Sequence, residues 1–170
     1  ESIAPKVDLL LVETVCSLKQ AKGVLAATDK SNKPVWISFS VDDVDGTKLR
    51  SGEKLEDVEA VINNHLVEAV LINCSPPEVV DNAISILSKM GKAFGAYANG
   101  FSKISSEFLK TRPTVDALTA RNDLGPEEYS NFVTNWVRNG ASIVGGCCEI
   151  GPTHISKISQ KIHELGYKTL

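Results

Sequence analysis

The sequence predicts an α/β fold of successive βα units around a parallel sheet. Three observations point to it. Five short apolar runs rich in Val, Ile and Leu recur along the chain, helical periodicity follows each, and Ser or Pro marks several helix starts. The runs are "DLLLVE" (8–13), "PVWISFSV" (34–41), "EAVLIN" (68–73), "AFGAYA" (93–98) and "ASIVGG" (141–146). Each is continuously apolar rather than alternating, as strands covered on both faces require.

The helices follow in order. Residues 17–29 open with Ser17 as N-cap, and 53–65 carry Leu55, Val58 and Val61–Ile62 on one side. Residues 77–90 carry Val79–Val80, Ile84 and Leu87. Residues 126–139 begin with Pro126 and two glutamates and end at Asn139–Gly140; residues 152–166 begin with Pro152–Thr153 and stop at Gly166. The connection from 99 to about 125 is long and polar, a length that compact domains rarely carry without a function.

Two architectures fit this alternation: an open doubly wound sheet, or part of a closed (β/α)8 barrel. The first usually places a Gly-rich phosphate turn after its first strand, and "ETVCSLKQ" is not one. In both, the chemistry sits at the carboxyl ends of the strands. Those ends carry Glu13, Asn73–Cys74, Tyr97–Asn99 and Gly145–Cys148.

Composition narrows the function. The 170 residues carry a net charge of −3 with no basic stripe, which argues against nucleic acid as a partner. No apolar run reaches the ~20 residues that span a bilayer, and no signal-peptide pattern opens the chain. A membrane partner is therefore not expected, and the cytoplasm is the default compartment. Four cysteines (Cys16, Cys74, Cys147, Cys148) are too few and too unevenly placed for a disulfide scaffold. The chain opens at Glu1 without an initiator Met, in the approach to a buried strand, and reads as part of something longer.

Cys74 directly follows "AVLIN", and Cys147 and Cys148 directly follow "SIVGG". Three of the four cysteines thus fall at carboxyl ends of parallel strands, where they can converge on a metal ion. Three protein thiolates would leave one tetrahedral position open, the arrangement of a catalytic zinc rather than a structural one. Gly145 and Gly146 are expected to give the backbone freedom to turn both neighbouring sulfurs to one ion. The alternatives are inert buried cysteines, a strained vicinal disulfide, and a redox pair lacking the usual C-x-x-C spacing.

"GGCCEIGPTHI", the upstream "INCSPPEVV", "DLLLVET" and "PVWISFSVDDVDGTKLRSGE" together resemble the homocysteine S-methyltransferase family, from Asp8 to about Leu165. The resemblance implies a (β/α)8 barrel of which this chain holds the last five βα units. It makes residues 1–170 a homocysteine-binding domain lacking its first three units. A barrel of this kind typically exceeds ~200 residues, which agrees with an incomplete chain. The resemblance further implies that Cys74, Cys147 and Cys148 hold Zn2+, with the homocysteine sulfur as fourth ligand. That sulfur would accept a methyl group from a small sulfonium or ammonium donor, giving methionine. A selenol such as selenocysteine is the alternative acceptor, and an inactive zinc-binding fragment the alternative reading of the chain.

Glu13 matches the family's glutamate that contacts the homocysteine amino group. Asn73 and Asn99 are weaker candidates for substrate contact, and Tyr97 shares their neighbourhood. His154 is expected to be a solvated helix residue, and His65 and His163 to lie on helix surfaces. Cys16 reads as a packing residue, Trp36 as core and Trp136 as the apolar face of its helix. Two apolar sheet edges, at "DLLLVE" and "ASIVGG", are expected to lack the Lys, Pro or bulges that protect natural edges. The chain alone is therefore expected to self-associate (as a homo-oligomer), aggregate or need its missing segment in trans.

Overall fold

The computed structural model describes residues 4–63, 65–102 and 118–169. Five parallel strands, β1 (Leu10–Val15), β2 (Val35–Phe39), β3 (Val67–Asn73), β4 (Ala93–Tyr97) and β5 (Ile143–Val144), lie in the order 1-2-3-4-5. The intervening helices are α1 (Leu18–Thr28), α2 (Val58–Ile62), α3 (Pro77–Leu87) and α4 (Pro126–Arg138), with α5 (Pro152–Glu164) following β5. A doubly wound sheet reverses its strand order at a switch point. Here the order never reverses, so the five units form the arc of a (β/α)8 barrel.

Side-chain alternation on these strands separates two faces. Leu10, Val12, Val35, Ile37, Phe39, Val70, Ile72, Ala96 and Val144 join the core under the helices. There they meet Leu25 of α1, Val58 and Ile62 of α2, Val80 and Ile84 of α3, and Tyr129, Val133 and Trp136 of α4. The expectation for Trp136 holds: it is fully buried. The other face carries Leu11, Trp36, Ser38, Leu71, Asn73, Gly95 and Tyr97, a mixed set for a barrel interior. Trp36 is half-buried there and does not belong to the helix-side core. Continuous apolar runs thus predict the covered helix side correctly, while the inner side keeps Leu11 43% exposed.

Several boundaries differ from the periodicity. Ser17 caps α1 as expected, its hydroxyl accepting from the Gln20 N–H at 3.1 Å. The helix expected over 53–65 is a 3-10 turn at Leu55–Asp57 followed by the five-residue α2. His65 therefore sits in a turn rather than on a helix, where its Nδ1 meets Asp29 at 2.8 Å. His163 lies exposed on α5, as expected. β5 is only two residues long, and it packs so closely on β4 that a Cβ on Gly95 would lie 1.6 Å from the Ile143 carbonyl oxygen, which requires glycine there. Most of the long connection after β4 lies outside the described residues. Its base is zipped by an antiparallel bridge between Phe101 and Ala120 and by the Arg121 N–H donating to the Gly100 carbonyl at 2.8 Å.

Among the described residues β1 and β5 are sheet edges without Lys or Pro. Contrary to the apolar pattern of its run, β1 does carry a bulge between Val12 and Val15, with the charged Glu13 inside it, while β5 carries neither. The 170-residue chain purified alone is expected to self-associate. Size-exclusion chromatography with light scattering should show species larger than a monomer; a soluble monomer with a cooperative melt would contradict it.

Candidate metal centre at the strand carboxyl ends

β3 ends at Asn73, and the chain then turns abruptly. Cys74 takes a left-handed backbone conformation, φ +54°. For a residue with a Cβ this costs on the order of 1 kcal/mol or more and persists only where neighbours enforce it. The neighbours are visible. Ser75, fully buried, exchanges hydrogen bonds with the Val41 backbone at 3.0 and 3.1 Å, and the Asn99 N–H donates to the Ser75 carbonyl at 3.1 Å.

Beyond β5 the backbone stays paired to the end of β4. The Cys147 N–H donates to the Ala98 carbonyl and the Gly100 N–H to the Cys148 carbonyl, each at 2.9 Å. The Tyr129 hydroxyl lies 2.8 Å from the Gly145 carbonyl oxygen and 3.2 Å from that of Ala98, bracing both strand ends from α4. The glycines act differently from expectation. Neither Gly145 nor Gly146 has a positive φ; the left-handed residue of this turn is Glu149, φ +65°. Gly146 is required instead for space, since a Cβ there would lie 2.1 Å from Cγ2 of Ile150.

These two turns bring Cys74, Cys147 and Cys148 together, with all three sulfurs within 4.8 Å of one another. Cys147 and Cys148 are 3.8 Å apart, so no disulfide joins them, and all four cysteines are free thiols. Asn99, 1% exposed, directs its Nδ2 at the Cys74 sulfur at 4.0 Å. The cluster favours one thiolate. Hydrogen bonding from Cys74 holds the Cys147 thiol down, to about 6, against burial that pushes the other way. Cys74 is raised far above the ordinary thiol range by that same hydrogen bond and then by burial, and Cys148 is raised mainly by burial. Three thiols that cannot ionise together without a cation form a donor set suited to a thiophilic metal.

Glu13 lies on the same side of the sheet. β1 does not end there, as the pattern suggested, but continues to Val15 through a bulge: Val12 pairs with Ile37 and Val15 with Phe39. Val12 and Val15 both face the helix-side core, so the extra residue leaves Glu13 and Thr14 together on the exposed inner side. Thr14 adopts φ +60° and is held by Asn73, whose Oδ1 accepts from the Thr14 N–H at 3.1 Å and whose Nδ2 donates to Thr14 Oγ1 at 3.0 Å. Asn73 Oδ1 also accepts from Ser38 Oγ at 2.8 Å. At 2% exposure, Asn73 thus ties its own strand to two others, β1 and β2. Tyr97 lies near Glu13 and Ser38, its hydroxyl buried without a hydrogen bond and its pKa raised chiefly by that burial.

Two residues stand apart. His154 Nδ1 accepts the Gly151 N–H at 3.2 Å, which leaves Nε2 to carry the proton and donate to the Leu124 carbonyl at 3.2 Å. His154 is therefore a half-buried structural residue at the start of α5, neither solvated as expected nor a metal ligand. Cys16, half-buried, directs its sulfur at the Thr14 carbonyl at 3.4 Å and takes no part in the cluster. Sequence reasoning missed Ser38 and Ser40, whose hydroxyls at alternate positions of an apolar strand were a visible signal. Tyr129 carried no such signal.

The fold is thus a barrel arc with three convergent thiols at its carboxyl end. Comparison with known proteins agrees. The family model for homocysteine S-methyltransferase matches residues 1–162, and the chain belongs to that family. It is 32% identical over 159 residues to homocysteine S-methyltransferase 1 of Arabidopsis thaliana, covering 91% of this chain and 46% of that protein. Selenocysteine methyltransferase of Astragalus bisulcatus is 30% identical over 159 residues, covering 89% of this chain and 44% of that one. The fold resembles the metallated form of the homocysteine methyltransferase MmuM from Escherichia coli, with a TM-score of 0.68 at 23% identity, over 91% of this chain and 45% of that chain. The chain spans less than half the length of the curated relatives it matches.

In metal-free protein at pH 7, iodoacetamide should modify Cys147 first, at a rate that rises through about pH 6, while Cys74 reacts last. Peptide mapping by mass spectrometry reads the order; early loss of Cys74 would contradict the assigned thiolate.

Proposed function

We propose that the protein carrying this chain transfers a methyl group from a small sulfonium or ammonium donor to the thiol of homocysteine, giving methionine, at a Zn2+ site formed by Cys74, Cys147 and Cys148. The observation that carries this reading is the convergence of those three sulfurs within 4.8 Å. With Zn–S bonds near ~2.3 Å, a tetrahedral site has sulfur–sulfur edges of about 3.8 Å. The Cys147–Cys148 separation is 3.8 Å, so the residues fit the ion with sub-ångström to ångström adjustment at Cys74. When bound, zinc would supply deprotonation of a fourth, substrate thiol at neutral pH.

The chain's own residues do the rest. Asn99 donates toward the Cys74 sulfur and keeps it pointed at its partners. The bulge in β1 presents Glu13 on the same inner side, where its carboxylate can accept charged hydrogen bonds from the ammonium of an amino-acid substrate. Asn73 fixes that bulge through Thr14 and so acts on substrate indirectly, by position. In this reading residues 1–170 form the metal- and homocysteine-binding part of the domain, and holding both reactants in line is the main catalytic contribution. A selenol acceptor is a second reading, favoured by the similarity to selenocysteine methyltransferase; the same sulfur cluster and carboxylate would serve it.

The protein should bind one zinc per chain, and each of Cys74→Ser, Cys147→Ser and Cys148→Ser should lose it. Elemental analysis of gel-filtered protein measures this, and full occupancy in any one variant would remove that residue from the site. Glu13→Gln should weaken homocysteine binding by about 10- to 100-fold, corresponding to a charged hydrogen bond of ~1.5–3 kcal/mol, with zinc content unchanged. Calorimetric titration of zinc-loaded protein with homocysteine, and with selenocysteine in parallel, tests both the assignment and the acceptor.

A further inference from the structure

The connection between β2 and α2 does not run directly from strand to helix. It folds back on itself through antiparallel bridges, Val41 with Leu49 and Lys48 with Lys54, around a fully buried Leu49. Its backbone is stitched to the end of β2 and to the end of β1. The Arg50 N–H donates to the Ser40 carbonyl at 3.2 Å, and the Ser51 N–H to the Cys16 carbonyl at 3.1 Å. This geometry turns one side chain inward. Arg50 is only 18% exposed, and its Nη2 lies 2.7 Å from Oδ1 of Asp43, itself 10% exposed. The same nitrogen donates to the Cys74 carbonyl oxygen at 2.8 Å.

That carbonyl belongs to the residue with φ +54°, whose left-handed turn carries the sulfur away from the strand and toward Cys147 and Cys148. A backbone in that region relaxes to an extended form unless something holds it. The two N–H groups of one guanidinium nitrogen serve Asp43 and Cys74 at once, and the ion pair fixes the donor before it meets the carbonyl. We propose that Arg50 is a positioning residue of the metal site, its guanidinium anchored by Asp43 and holding the Cys74 backbone in the turn that aims Sγ at the other two sulfurs. The proposal rests on the zinc reading above, but assigns Arg50 no contact with substrate or metal.

The test is zinc affinity, measured by competition with a chromophoric chelator on the full-length protein, with the sulfur-to-metal charge-transfer absorption of the Co2+ form as second readout. Arg50→Ala should weaken zinc binding by about 10- to 100-fold, the usual effect of losing a group that orients a ligand. The Co2+ form should lose charge-transfer intensity as Cys74 drops out. Arg50→Lys, which keeps the charge beside Asp43, should recover part of both. Affinity and spectrum within about twofold of the unsubstituted protein in both variants would overturn the proposal. If Arg50→Ala does not fold, Arg50→Lys decides by the same criterion. An unsubstituted protein that binds neither Zn2+ nor Co2+ would overturn the metal reading itself, an outcome distinct from variants that bind as the parent does.

Discussion

One buried amide, Asn73, ties together the strand ends on which the site is built. Its side chain bonds Thr14 of β1 twice and Ser38 of β2 once, while its own backbone carbonyl accepts from Ser40 at 2.9 Å. The next residue is the first cysteine of the cluster. Parallel strands diverge where their ladder stops, and an unpaired polar group there would cost ~1–3 kcal/mol once buried. Asn73 removes that cost at three strand ends at once. In doing so it sets the distance between the carboxylate side of the site, at Glu13, and the sulfur side, at Cys74.

The backbone at and near these strand ends, the bulge of β1 included, is conformationally expensive in a consistent way. Thr14, Cys74 and Glu149 all have positive φ without being glycine, and each adjoins or belongs to a candidate site residue. A chain leaving a barrel strand must change direction within a residue or two to present a side chain inward over the rim. Left-handed residues achieve that at a cost of a kcal/mol or so each, and such strain gathers at functional sites. Compensation comes from the bonds around them: Asn73 on Thr14, Arg50 and Asn99 on Cys74, and the Gly100 N–H on the Cys148 carbonyl.

The electrostatics of the metal-free cluster point the same way. Three half-buried to exposed thiols this close cannot all ionise, so one thiolate, Cys147, is favoured at the expense of Cys74 and Cys148. A divalent cation would reverse the bias by removing all three protons. Among the described residues, the side-chain donor directed at the Cys74 sulfur from outside the cluster is the Asn99 amide. Arg50 meets the Cys74 backbone carbonyl and not its sulfur.

The sequence by itself determined the alternation of strands and helices, the side of the sheet where chemistry gathers, and the three cysteines. These are local or periodic properties: a run of β-branched residues, a helix start at Pro126 or Pro152, a cysteine directly after a strand. It also determined the family, because the motifs around those cysteines are specific. Only the tertiary structure decided that the strand order never reverses, that α2 is a single short helix after a 3-10 turn, and that Glu13 owes its place to a bulge rather than to a strand end. It alone showed Asn73 as a tie between strands, His154 as a cap, and Arg50 reaching the Cys74 carbonyl across 24 positions of sequence. The physical reason is common to all of these. Register, bulges and side-chain bonds between distant strands depend on which partners come together in space, and neither period nor propensity carries that information along the chain.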